Sequence, residues 1–214
     1  MSTASPKRRR RLVIAVVVTA VLGYGLFVHT PPGPRSLREF DVDQVARLET
    51  EMWQAYYDKR NVRLFLLLTE LLRAQRRYPW AKAATEAFYL ARPAARFAGM
   101  TGDYDVVLPD LEHAYAMAKD WTGATYDPSA VARAELAWWI ARRDPAARSP
   151  ENVGRLIAVL YSQMYAVPVE RVAAAGRLRA EAAAIRDRDA RQPDWAAISA
   201  LLHRSYRELH AAVH

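Results

Sequence analysis

The chain has 214 residues, room for about one folded domain with accessories. Hydrophobic residues make up 52% and charged residues 25%, which excludes disorder as the main state because there is ample apolar surface to bury. There is no cysteine, which excludes a disulfide scaffold, a thiolate zinc site, a cysteine nucleophile and an acylated-cysteine anchor.

The net charge of +8 invites a nucleic-acid reading, but its distribution opposes one. Lys7, Arg8, Arg9, Arg10 and Arg11 supply five of those charges, and the body mixes arginines with acids rather than segregating them. A phosphate-tracking surface needs a concentrated basic face, so no nucleic-acid partner is expected.

Residues 1–11 read as a basic cytoplasmic tail. Leu12–Val28 follows, 17 residues without a charge. As a helix it is roughly 26 Å long, against a hydrocarbon core of about 30 Å. The basic cluster before it orients the segment with its N-terminus in the cytoplasm. The sequence therefore predicts a single-pass signal anchor at 12–28 in the inner (cytoplasmic) membrane, with everything beyond it extracytoplasmic. The rival is a cleavable leader cut near Gly23-Tyr24-Gly25, but the apolar run continues past that point through Leu26, Phe27 and Val28. No Gly-x-x-x-Gly face recommends the segment as an oligomeriser.

Residues 29–38 form a proline-rich spacer, with Pro31, Pro32 and Pro34 unable to continue a helix. From 39 to 214 the chain reads as helix after helix, rich in Ala, Leu, Arg and Glu. Starts are marked by Asp127-Pro128-Ser129, Ser149-Pro150-Glu151 and Pro193-Asp194. Stripes at i, i+3, i+4 run through Val153, Leu156, Ile157 and Leu160, and through Ile198, Leu202, Tyr206 and Leu209. Helices are expected at about 40–57, 62–77, 80–98, 104–119, 129–143, 151–166, 169–188 and 194–213. The expected architecture is all-α, an irregular bundle of about eight helices after the anchor. Whether Asp58-Lys59-Arg60-Asn61 turns the chain or lies on one helix is open.

Two carboxylates stand inside apolar stripes. Glu49 lies among Val45, Leu48, Met52, Trp53 and Tyr56; Glu135 shares a helix face with Val131, Trp138, Trp139 and Arg142. A carboxylate lodged against indoles gains proton affinity unless an arginine pairs with it. Glu49, Trp53, Glu135, Trp138, Trp139 and Arg142 are therefore the candidate ligand-binding set. The structural alternative is that the tryptophans are core, that Glu135 is held by Arg142 or a neighbouring helix's arginine, and that the glutamates pair with Arg179 or Arg186, which flank the Leu178/Ile185 stripe.

Neither catalytic residues nor a metal or cofactor is expected. A di-iron bundle needs Glu-x-x-His on two helices, and no histidine stands three residues after a glutamate. His210 and His214 have chelating spacing but lack a third ligand. Phosphate-loop, dinucleotide and nucleophile-elbow patterns are absent from the sequence. The composite expectation is a membrane-anchored helical protein with a structural or protein-interaction role toward an envelope partner. The alternative is a ligand-binding or enzymatic domain built on the Glu/Trp/Arg set.

Overall fold

A computed structural model describes the chain from Pro6 to His214, with the side chains of residues 6–12 and 26 outside the described set. The expectations for residues 1–5, and for the side chains of the basic cluster, lie outside the described residues. The described chain is all-helical, with no strand.

Helix α1 (Pro6–Val28) covers the apolar N-terminal stretch. Its described large apolar side chains are exposed, including Val16 at 62%, Val21 at 64% and Tyr24 at 70%. Among the described residues, no helix is long and apolar enough to cross a membrane. The side chains of Leu12 and Leu26, which complete the stretch read as an anchor, are not among them.

The body is a succession of eight helices: α2 (Val42–Tyr57), α3 (Asn61–Arg76), α4 (Trp80–Gly99), α5 (Leu108–Thr122), α6 (Pro128–Arg143), α7 (Pro150–Tyr165), α8 (Val169–Arg188) and α9 (Trp195–Val213). A 3-10 turn, Tyr104–Val107, leads into α5. Caps follow the sequence signals. Asp41 accepts from the Gln44 N–H, Asp127 from Ser129 and Ala130, Ser149 from Asn152, and Asp194 from Ala197. Residues 58–60 do turn the chain, with Lys59 at φ 57°.

Each helix packs on the next, and α9 closes back on α2. Short connections make neighbours antiparallel, so the helical bundle expected from the sequence is present, its eight helices closed into a ring. Its interior holds a main core that runs from Val45 and Leu48 through Leu111, Val131 and Ile157 to Leu209 and Val213, with smaller buried clusters around Trp53 and Ile198 and around Leu72 and Tyr78. The connections 77–79, 123–127 and 166–168 lie at one end with the spacer; 58–60, 100–107, 144–149 and 189–194 lie at the other.

The spacer does not hang free. Leu37 and Phe40 are buried against the core. Arg38 donates to the carbonyls of Val213 and Tyr165, each at 2.6 Å. Arg77, which ends α3 in the left-handed region at φ 56°, donates to the Pro32 carbonyl at 2.6 Å. Gly33 (φ 114°) passes so close that a Cβ there would stand 2.7 Å from Arg77 Cζ. The proline segment is thus strapped over the spacer end, where α1 contacts α4.

Candidate functional site

The apolar stripe of α2 turns Glu49 inward, leaving it 1% exposed. Its carboxylate accepts from Trp53 Nε1 at 3.1 Å, one turn along the same helix, and from the Tyr206 hydroxyl of α9. Arg179 of α8 places Nη2 2.5 Å from Glu49 Oε1, and its Nη1 donates to the Tyr161 hydroxyl of α7 at 3.1 Å. Burial opposes the charge on Arg179, but Glu49 and the neighbouring phenols outweigh it and hold the guanidinium protonated. Burial, reinforced by Glu49, pushes the Tyr206 hydroxyl up, so it stays a donor. Glu49 is therefore a buried, paired and fully hydrogen-bonded carboxylate.

Glu135 on α6 is satisfied differently. Trp139 Nε1 donates to Oε1 at 2.8 Å and the Tyr115 hydroxyl of α5 donates to Oε2 at 3.0 Å. Burial raises its proton affinity above the ordinary carboxylate value; the charge of Arg179 and the Trp138, Tyr115 and Trp139 donors pull the other way without cancelling it. Trp138 carries the link between the two carboxylates, since its ring centroid lies 5.9 Å from the Arg179 guanidinium. Its own indole N–H is buried on the Glu135 side, near enough to oppose the raised proton affinity of that carboxyl though out of line for a well-formed hydrogen bond.

Arg142, further along α6, does not hold Glu135 but points to the far end. Its Nε and Nη2 both reach Asp187 at 3.0 Å, and Nη2 also donates to the Tyr57 hydroxyl at 2.6 Å. Arg186 lies over the Tyr57 ring, 3.3 Å from its centroid, and adds a contact to the same aspartate at 3.2 Å. This cluster borders an open recess of about 220 Å³ at the far end, lined by Arg142, Asp187, Arg148 and Arg188 over Val153, Ala180 and Ala183.

Five of the six candidate residues are thus grouped through Arg179 or by direct bonds to the two glutamates. Arg142 touches that group only across the Trp53 ring, at 5.9 Å. Neither the far-end recess nor a recess at the spacer end, lined by Leu37, Thr122 and Tyr165, has Glu49 or Glu135 in its wall. Chemically the grouped residues form a closed polar core spanning α2 and α5–α9. Of the two arginines that flank the α8 stripe, Arg179 meets a candidate glutamate and Arg186 takes Asp187.

The sequence reading missed the phenols and a second buried ion pair. Arg76 of α3, 4% exposed, pairs with Glu86 of α4, 0% exposed, beside the fully buried Tyr78. The signal was present: Glu86 falls in register with the buried Ala83 and Ala87, as Glu49 does in its own stripe. Among the described residues, no group of three or more His, Asp or Glu side chains is placed to hold a metal ion. His210 and His214 stack on each other, with His214 Nδ1 donating to the His210 carbonyl at 2.8 Å. Comparison of the chain with protein-family models, with curated proteins and with solved structures returns no match.

Proposed function

We propose that this chain is a single-pass protein of the cytoplasmic membrane, anchored through Leu12–Val28. Its helical body is then a structural or protein-interaction module on the extracytoplasmic side, toward an envelope partner. The observation that carries the reading is α1. Its described apolar side chains are exposed around the whole helix, and apolar surface of that continuity on a helix outside the core suits a bilayer rather than water. The basic cluster at 7–11 gives the orientation. The closed hydrogen bonding of Glu49 and Glu135 favours a scaffolding role for the polar core over catalysis.

The test is alkaline carbonate extraction of membranes from cells expressing the full chain, followed by mass analysis. The full-length mass in the pellet is the expected result. Release into the supernatant, or a mature chain starting after Gly25, contradicts the anchor. A second reading, binding of a small anionic ligand, is favoured by the far-end recess, whose three arginines outnumber its one aspartate. It predicts a thermal shift on adding inorganic phosphate that Arg148→Gln with Arg188→Gln abolishes; an unchanged melting curve for the wild type removes it.

A further inference from the structure

The spacer end carries a cluster of cations and aromatic rings in the sector where α3, α4 and α5 meet the strapped segment. The Arg35 guanidinium sits 3.9 Å from the Trp121 ring centroid and Arg73 sits 4.7 Å from that of Trp80. Lys82 Nζ lies 5.5 Å from the Trp121 centroid and 5.7 Å from that of Tyr78. Trp80 at the start of α4 is 37% exposed, a large apolar ring left at the surface. Arg77 adds a fourth cation while it holds the Pro32 carbonyl. Against these four cations the sector itself carries Asp120, exposed beside Trp121; further acids at this end stand at Glu39, Asp41 and Asp43, where the chain enters α2, and at Asp127 and Glu170, where α6 and α8 begin.

This sector is also where α1 leaves the body. Pro32 is fixed at Arg77, only four residues beyond the last residue of α1, and α1 itself contacts α4. Arginine, lysine and tryptophan mixed at one level are the residues that favour the boundary between headgroups and water, because each has an apolar body and a polar tip. Anionic headgroups attract such a cluster by roughly fivefold in binding for each cation near the surface.

We propose that this sector, formed by Arg35, Arg73, Lys82, Trp80 and Trp121, docks on the anionic headgroup layer of the bilayer that holds α1. The body would then lie with its spacer end on the membrane and its far end toward the aqueous side. The occupant follows from charge complementarity and from continuity with α1. The inference rests on the anchored reading, and its test separates the two.

Full-length protein is reconstituted into phosphatidylcholine vesicles with or without phosphatidylglycerol, both doped with a lipid carrying a nitroxide on its headgroup. Carbonate resistance reports α1; nitroxide quenching of tryptophan emission, compared between wild type and Trp80→Phe, reports the docked face. Expected are a carbonate-resistant protein and a Trp80-dependent quench that grows with phosphatidylglycerol. Arg73→Gln with Lys82→Gln should lower the docked-to-undocked ratio roughly 25-fold, at about fivefold per charge. Circular dichroism checks that each variant is folded. Carbonate resistance without a Trp80-dependent quench overturns the docked face and leaves the anchor standing. A Trp80-dependent quench on a carbonate-labile protein supports the face and overturns the anchor. Loss of both signals overturns both.

Discussion

A single guanidinium, that of Arg179, ties α8 to α2 through Glu49 and to α7 through Tyr161, and lies against the Trp138 ring of α6. Taking away one partner of a buried pair leaves the other charge uncompensated, which costs about 3–5 kcal/mol, whereas replacing both can be close to neutral. Arg179→Met should therefore destabilise the body by about that amount in urea titration, and adding Glu49→Gln should recover most of the loss. An Arg179→Met variant as stable as the wild type would show that the pair is not what satisfies Glu49. Glu135 allows a test with a defined sign. Its folded-state proton affinity is raised above the ordinary pKa of 4.5, so the folded state binds the proton more tightly than the unfolded chain does. Below 4.5 both states are protonated and nothing is lost; as pH rises from there to the raised folded value, wild-type stability falls relative to Glu135→Gln. Denaturation of both proteins across that window checks it, and a flat or rising difference contradicts the assignment. At this scale the sequence showed where carboxylates were buried but not what satisfied them. A glutamate inside an apolar stripe is conspicuous, whereas Tyr161 and Tyr206 read as ordinary core residues because their rings suit the stripe and their hydroxyls leave no periodic trace.

The helices themselves were legible because caps and periodicity agree. Asp127, Ser149 and Asp194 cap where they were expected to, and the ends of α4 and α8 fall within a residue of their predicted positions. The start of α5 differs: a helix was expected from 104, and the structure has a 3-10 turn over 104–107 with α5 beginning at Leu108. Pro109 explains the boundary, since its missing N–H is harmless only in a first turn. The closeness of α7 and α8 was not foreseen. Gly154 and Gly176 face each other across that pair, and a Cβ on Gly176 would stand 2.4 Å from the Gly154 carbonyl oxygen and 2.8 Å from the Ala158 amide. Backbone cannot give way as a side-chain tip can, so overpacking should dominate the alanine gain in helix propensity. Gly176→Ala is expected to destabilise by about 1–3 kcal/mol and lower the melting temperature. A neutral or higher melting temperature would mean that the two helices can part at little cost.

For the whole molecule, closure of the ring through α2 and α9 and the strapping of the spacer were beyond sequence reading. Neither has a local signature: one joins the two ends of the body, and the other depends on Arg38 and Arg77 finding carbonyls far along the chain. What the sequence did supply was an apolar segment with a basic flank, and the fold gives that segment a fixed point of departure. The central claim is that α1 is held in a bilayer and the ring lies beyond it. Protease accessibility of a C-terminal tag, in cells with intact and with permeabilised cytoplasmic membranes, tests this most directly. The account predicts that the tag is cleaved from outside while the cytoplasmic membrane is still intact; a tag protected until that membrane is breached would contradict it.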